Sequence, residues 1–251
     1  MNKTFKARVA AVLGGLLLSF SALAADPGGG LLQSGTDLSD KASLQRGAKL
    51  FMNYCSGCHS LQYLRYSRMA EDLGLSEEEV MENLNFTDAG FGEHIVSAMP
   101  AAQASDWFGV APPDLSLTVR SKIGGPDWVY TFLMSFYQDE SAALGWNNTW
   151  FPDVSMPNVL WELQGLQRPV LGETDPTTGA PTIERLEVAQ PGTQSAAEFE
   201  RSVRDITAFL EYAAEPAALK RQGIGVWVLL FLVFFAFLTW LLKQEYWRDV
   251  K

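Results

Sequence analysis

The sequence predicts a mainly α-helical protein with one exported domain and one C-terminal transmembrane helix. Three observations predict this class. A basic and apolar N-terminus ends in small residues, apolar residues recur at helical spacing in the intervening region, and a long uncharged apolar run precedes the C-terminus. The length of 251 residues suits one domain with appendages. A hydrophobic content of 47% is enough for a core and a membrane segment together.

The N-terminal segment predicts a cleaved secretory signal peptide over residues 1–24. Basic residues within the first eight positions precede a short apolar run at 9–20, and Ala22-Leu23-Ala24 forms a small-x-small cleavage site. The apolar run is shorter than the roughly 20 residues that a membrane span needs, which disfavours the alternative of an uncleaved anchor. We therefore expect residues 25–223 to be exported.

The run at 224–242 predicts a transmembrane anchor. It carries no charge, and as a helix it would be about 28 Å long, close to the hydrocarbon thickness of a bilayer. Trp227 and Trp240 lie near its ends, as in an aromatic belt. A buried core helix would show a polar stripe, and this run shows none. The signal peptide sets the orientation, which leaves residues 243–251 as a cytoplasmic tail.

The charge of the chain favours a basic partner. The net charge is −10, and loss of the basic signal peptide would make the exported part more acidic still. Such a field attracts positively charged proteins and repels the phosphates of nucleic acids. We therefore expect no nucleic-acid binding.

The strongest local motif is Cys55-Ser56-Gly57-Cys58-His59, which has the C-x-x-C-H pattern of c-type haem attachment. Thiols three positions apart can reach the two vinyl groups of one porphyrin and form thioethers, and the adjacent histidine can then bind the iron. A redox disulfide or half of a zinc site are the alternatives for a C-x-x-C pair. Zinc needs about four ligands, whereas the chain has 2 Cys and 2 His. We expect one covalent haem c.

An electron-transfer haem needs a second axial ligand, and three residues are candidates. Met99 and Met156 each precede a proline, which favours an extended backbone able to present a side chain. Met156 also lies in a loop rich in aromatic residues, which exclude water, so the pattern favours Met156. Met99 and His94 stay open as alternatives.

Two amphipathic segments predict the helices that close this domain. The first leads into Cys55, begins at Asp40 or Ser39 as the N-cap, and carries Gly47 on the same face as Phe51. The second spans Ser195 to Ala214 and opens with a capping box. We expect the two helices to pack together, because the glycine allows a close approach.

Several of these motifs together resemble cytochrome c1 of the cytochrome bc1 complex. The resemblance covers the chain from about residue 30 to residue 250. The residues that carry it are Arg46-Gly47-x-x-Leu50-Phe51, Cys55-x-x-Cys58-His59-Ser60, Ala111-Pro112-Pro113-Asp114-Leu115-Ser116, Met156-Pro157 and Ala213-Ala214-Glu215-Pro216 before the apolar run.

The resemblance implies a cytochrome c-type haem domain with inserted loops, tethered by the C-terminal transmembrane helix. It implies that Cys55 and Cys58 hold the haem, with His59 and Met156 as axial ligands. Four further residues would contact the haem: Pro112 and Pro113 by packing, Arg120 through an ion pair with a propionate, and Trp128 by lying near the ring.

The resemblance also implies an electron relay without bond chemistry in this chain. A Rieske iron–sulfur protein would reduce the haem and a cytochrome c would oxidise it, within a dimeric quinol–cytochrome c reductase that contains cytochrome b. The domain would face the periplasm from a bacterial inner membrane. Alternatives are an independent anchored cytochrome c that serves a terminal oxidase, a haem peroxidase with an open sixth position, and a structural protein without haem.

Two regions depart from the family pattern. Asp106-Trp107-Phe108-Gly109 stands where many members have Asn-Asn-Gly before the Pro-Pro-Asp-Leu-Ser run. The region Gln164–Gln194 is rich in Thr, Gly and Pro, and we predict a surface loop there.

Overall fold

Helices dominate the computed structural model, which describes residues 30–174, 176 and 181–249. The mainly helical prediction is confirmed, and the predicted signal peptide 1–24 lies outside the described residues. The helices are α1 (Lys41–Tyr54), α2 (Tyr66–Leu73), α3 (Glu77–Asn83), α4 (Ala101–Phe108), α5 (Thr118–Ser121), α6 (Pro126–Met134), α7 (Trp161–Gln164), α8 (Ala196–Ala214) and α9 (Ala218–Tyr246).

The strands form three separate antiparallel ribbons of two strands each among the described residues. The first pairs β1 (Leu61–Arg65) with β2 (His94–Ile95), and the second pairs β3 (Phe136–Gln138) with β4 (Trp146–Asn148). The third pairs β5 (Gly165–Thr174) with β6 (Pro181–Pro191).

Helices α1 and α8 pack against each other at the centre of the core, as the sequence predicts. Asp40 is the N-cap of α1 and accepts a hydrogen bond from the backbone N–H of Ser43. Ser195 begins α8 with the predicted capping box, whose other member is Glu198. The apolar faces are fully buried and consist of Leu44, Ala48 and Phe51 on α1 and Val203, Ile206 and Phe209 on α8.

Gly47 is the point where these two helices approach most closely. A Cβ atom built on Gly47 would lie 2.0 Å from the carbonyl oxygen of Asp205 on α8. The carboxylate of Asp205 is buried beside this contact and accepts hydrogen bonds from Ser43 Oγ at 2.5 Å and Arg46 Nε at 2.6 Å. The prediction that this glycine permits close helix packing is confirmed.

Most of the region Gln164–Gln194 forms the paired strands β5 and β6, so the prediction of a loop was wrong for these residues. Its surface position is confirmed, because most side chains of β5 and β6 are exposed. The hairpin is fastened at its base where Gln167 Nε2 donates to the carbonyl oxygen of Phe136. Register shifts interrupt the pairing of β5 with β6, which breaks the period-two pattern that would have predicted strands.

Helix α9 extends beyond the predicted anchor at both ends. Residues Gly223–Tyr246 are long and apolar enough to cross a membrane, and their most apolar window buries none of its residues within the chain. At the start of the helix Ala218 is buried, and Lys220 Nζ lies 3.9 Å from the Asp72 carboxylate. Within the described residues, the helix is therefore joined to the domain at its first turns.

Candidate haem site

The two cysteines lie in a tight turn that follows α1 directly. Cys55 is the C-cap residue of α1, and its backbone N–H donates to the carbonyl oxygen of Phe51 at 2.8 Å. The carbonyl oxygen of Cys55 then accepts from the N–H groups of Cys58 at 3.0 Å and His59 at 2.8 Å. Both cysteines are free thiols. Helix α1, packed on α8, thus holds both thiols and the histidine in one rigid turn.

The thiols do not have the properties of a redox-active pair. Burial raises the pKa of the Cys55 thiol to about 12, and burial also raises the pKa of Cys58. Disulfide oxidoreductases need a cysteine with a lowered pKa, because the thiolate is the nucleophile. In the part of the chain that the structure describes, no three His, Cys, Asp or Glu residues cluster as a metal site would require. The raised pKa values therefore do not favour a redox disulfide, and the donor groups of the described residues do not favour a zinc site.

His59 is held in the tautomer that a haem ligand requires. The residue is 9% exposed, and its Nδ1 lies 2.8 Å from the carbonyl oxygen of Pro113. A carbonyl oxygen can only accept, so Nδ1 carries the proton and the lone pair of Nε2 is available to a metal. Burial lowers the pKa of His59, while the contact with Pro113 and the charge of Asp114 act in the opposite direction. The neutral ring that burial favours is the form that ligates iron.

The segment after Pro113 runs beside the segment after His59. Three hydrogen bonds join them: Leu115 N to Ser60 O at 2.9 Å, Gln62 N to Asp114 Oδ2 at 2.9 Å, and Tyr63 N to Ser116 Oγ at 3.2 Å. The sequence analysis placed Pro112 and Pro113 at the site but did not assign a role to Asp114 or Ser116. Asp and Ser side chains in turns commonly accept backbone hydrogen bonds. Their presence after Pro113 was the feature of the sequence that could have predicted these contacts.

Trp128 lies against the aromatic loop that carries Met156. Its ring stacks on Phe132 with centroids 5.3 Å apart and meets Phe151 edge-on at 6.4 Å. Met156 follows Phe151 by five positions and is partly buried. Trp128, Phe132 and Phe151 therefore form one aromatic cluster, and Phe151 ties this cluster to the loop in which Met156 lies.

Asn148 shapes the start of this loop and was missed by the sequence analysis. Its Oδ1 accepts from the backbone N–H groups of Trp150 and Phe151, each at 2.9 Å, and its Nδ2 donates to the carbonyl oxygen of Phe132 at 2.8 Å. Asn148 is buried, and Asp153 further along adopts the left-handed region with φ 59°. The buried side-chain amide of Asn148 therefore fixes the conformation of the loop at its start.

The other two candidate ligands occupy different places. The backbone N–H of Met99 donates to Ser97 Oγ, which donates in turn to the carbonyl oxygen of Gly57 within the attachment motif. His94 pairs with Arg65 across the β1–β2 ribbon, and its buried Nδ1 has no hydrogen-bond partner within the described structure. The preference for Met156 over Met99 and His94 stays a prediction.

Arg120 points toward the start of the anchor. Its side chain is 59% exposed, and Nη1 lies 4.0 Å from Glu215 Oε2, a carboxylate that also pairs with Arg221. An exposed guanidinium of this kind can reorient toward a propionate at small cost. Its role at a haem propionate stays a prediction. Pro112 is partly buried, and Pro113 is exposed apart from its hydrogen-bonded carbonyl oxygen. Their packing against the haem stays a prediction as well.

Comparison with known families shows the family of the chain. The model of the cytochrome C1 family matches residues 33–167 and 184–250. The chain belongs to the cytochrome c1 family. The unmatched stretch falls within the β5–β6 hairpin, so the outer part of that hairpin lies outside the family pattern.

Curated relatives align with most of the chain. Cytochrome c1 of Allochromatium vinosum is 52% identical over 94% of this chain and 96% of its own length. The ammonia monooxygenase gamma subunit of Nitrosomonas europaea is 45% identical over 85% of this chain and 86% of its length. A protein of Bradyrhizobium diazoefficiens named cytochrome b/c1 is 26% identical over 84% of this chain and 34% of its length.

The residues of the site fit the haem that cytochrome c1 proteins carry as subunits of bc1 complexes. Two free thiols lie in one turn, and the buried imidazole beside them presents an unprotonated Nε2. The aromatic loop with Trp128 supplies apolar groups of the kind that exclude water from a macrocycle.

Proposed function

We propose that the protein is a monohaem cytochrome c1 that relays electrons from a Rieske iron–sulfur protein to a cytochrome c. The observation that carries the proposal is the buried His59, whose Nδ1 donates to the carbonyl oxygen of Pro113 beside two free thiols. The haem, when bound, supplies an iron that accepts and releases one electron reversibly. The chain itself makes and breaks no substrate bond.

Each residue of the site has a separate task in this proposal. Cys55 and Cys58 would hold the haem through two thioethers at the end of α1. His59 and Met156 would ligate the iron, and a thioether sulfur favours reduced iron more than a second imidazole would. The remaining contacts orient the haem and shield it from water: Pro112, Pro113, Arg120 and Trp128.

We further propose that the site lies at a membrane surface. We propose that residues 1–24 direct export into the periplasm, that 25–223 form the haem domain, and that 224–242 cross a bacterial inner membrane. The tail 243–251 then remains in the cytoplasm. The apolar surface of α9 supports this arrangement, since it finds no cover within the described chain.

The partners follow from the membrane position and from the charge. The Bradyrhizobium relative is named for cytochrome b as well as cytochrome c1, which supports cytochrome b as the partner of the anchor in a dimeric complex. A chain with a net charge of −10 attracts a basic cytochrome c and raises the rate of encounter at low salt.

Replacement of one thiol tests the attachment. In Cys58→Ala we expect loss of stable holoprotein after periplasmic maturation, because the turn can then form only one thioether. The measurement is haem staining after denaturing electrophoresis, together with the pyridine haemochrome spectrum. Normal haem incorporation in Cys58→Ala, or a colourless wild-type protein, would refute the assignment.

Purification in mild detergent tests the assignment to a quinol–cytochrome c reductase. We expect a tagged chain to retain a cytochrome b and a Rieske protein, and the isolated assembly to reduce cytochrome c with quinol. A haem-loaded chain that purifies without either partner would instead support the independent cytochrome that serves a terminal oxidase.

A further inference from the structure

We propose that Asp114 is a positioning residue that sets the hydrogen bond between the axial ligand His59 and the carbonyl oxygen of Pro113. This inference rests on the proposed role of His59 as the ligand to haem iron. Asp114 makes no hydrogen bond to the imidazole ring itself, so it would act on His59 through the position of Pro113.

The two oxygen atoms of Asp114 connect two different segments of the chain. Oδ2 accepts from the N–H of Gln62 in β1 at 2.9 Å, and Oδ1 accepts from the N–H of Ser116 in its own loop at 2.9 Å. A carboxylate that accepts backbone hydrogen bonds makes stronger contacts than a neutral acceptor. Asp114 therefore sets the separation between the loop and the strand that follows the attachment motif.

That separation determines where the Pro113 carbonyl oxygen lies. Pro113 directly precedes Asp114, and His59 lies three positions before Gln62, so the carboxylate bridges the two segments next to the imidazole contact. The distance from Nδ1 to the carbonyl oxygen is 2.8 Å, within the range of a strong hydrogen bond. Proline has no N–H, so Pro113 itself cannot anchor this peptide by donating a hydrogen bond.

The hydrogen bond to Pro113 affects the iron through the basicity of the imidazole. Donation from Nδ1–H makes the other nitrogen a better electron donor and fixes the orientation of the ring. A better donor favours the oxidised iron, so weakening this bond should raise the midpoint potential. If a substitution only loosened the site and admitted water, the water would favour the charged oxidised state. The midpoint potential would then fall.

The test compares variants of the full-length holoprotein in detergent. The first measurement is the rate at which the His59 Nδ1 proton exchanges with solvent, followed by NMR in the reduced state. In Asp114→Ala and Asp114→Glu we expect this rate to rise about tenfold or more, because charged hydrogen bonds are lost. We also expect both midpoint potentials to rise. Asp114→Glu keeps the negative charge but adds a methylene, so a change in that variant reports geometry rather than charge.

Asp139→Ala is the matched control. Asp139 lies between β3 and β4, and its carboxylate likewise joins a backbone N–H, that of Ser141, to a second group, Asn147 Nδ2. We expect this variant to leave both the proton exchange and the potential of the haem unchanged. If Asp114→Ala does not mature, Asp114→Asn takes its place, since it keeps one acceptor oxygen.

The outcomes separate this inference from the proposed function. Unchanged exchange in the Asp114 variants would overturn the positioning role, even if charge removal alone shifted the potential. Equal changes in Asp139→Ala would overturn it as well. A wild-type holoprotein in which His59 gives no haem-shifted ring resonances would instead contradict the ligand assignment itself.

Discussion

Single hydrogen bonds determine the chemistry available at this site. The carbonyl oxygen of Pro113 makes Nδ1 of His59 the protonated nitrogen, which leaves Nε2 for iron. Asn148 uses its amide in a similar way, because it connects the loop that leads to Met156 with the end of α6. At this scale each role depends on which atom of a side chain donates and which accepts.

The choice of the second axial ligand is a prediction at the residue scale. In Met156→Leu we expect the midpoint potential to fall by about 100 mV or more, because the thioether that favours reduced iron is lost. We also expect the reduced protein to bind carbon monoxide. Redox titration and absorption spectra measure both effects.

Met99→Leu is the matched control for this experiment. It removes the same thioether from the other Met-Pro pair, whose backbone is tied to the attachment motif through Ser97. We expect its potential and its carbon monoxide response to equal those of the wild type. The reverse pattern would make Met99 the ligand.

At the scale of elements, the α1–α8 pair is the frame that holds the attachment turn. Gly47 lets the backbones meet, and the buried Asp205 beside it accepts from Ser43 and Arg46. Because Cys55 directly follows α1 as its C-cap, any shift of α1 against α8 would displace both thiols. The packing of the two helices therefore determines where the attachment turn lies.

This coupling predicts a steric defect in Gly47→Ala. The added methyl group would lie 2.0 Å from a backbone oxygen of α8, so the helices must separate. We expect destabilisation of about 1–3 kcal/mol or more, typical of overpacked cores, although alanine by itself favours a helix. Denaturant unfolding of the solubilised holoprotein, followed by circular dichroism, measures the change.

Gly90→Ala serves as the comparison, because a Cβ at Gly90 meets nothing within 4 Å. We expect its unfolding midpoint to match that of the wild type. If Gly47→Ala were as stable as Gly90→Ala, the close approach of α1 and α8 would not limit the stability of the fold.

At the scale of the whole molecule, the domain and the membrane helix are joined over a short segment. Ala218 is buried, and Lys220 lies near Asp72, whose carboxylate also accepts from the hydroxyl of the buried Tyr212. Beyond these first turns, the apolar part of α9 is not buried against the described part of the domain. We therefore expect the domain to fold without that part of the helix.

A chain that ends after residue 222 tests this separation. It keeps the contacts of Ala218 and Lys220 and loses the apolar surface of α9. We expect it to be released in the soluble periplasmic fraction with the absorption spectrum of the full-length protein. Fractionation and spectroscopy provide the measurement, and retention of the shortened chain in washed membranes would show that the domain binds the membrane by itself.

Local patterns predicted the parts of the fold that depend on neighbours in sequence. The N-cap at Asp40 and the capping box at Ser195 were predictable, because each involves contacts within one helical turn. The β5–β6 hairpin was not, because its register shifts erase the alternation that reveals strands.

The sequence by itself determined the C-x-x-C-H motif and the apolar run of the anchor, since residue spacing and composition specify both, and its combined motifs carried the resemblance to cytochrome c1. Only the tertiary structure decided that the Pro113 carbonyl sets the tautomer of His59 and that Asp114 joins the two segments. The physical reason is distance along the chain. These partners are about fifty positions apart, and packing of the core, rather than any local pattern, brings them within hydrogen-bonding range.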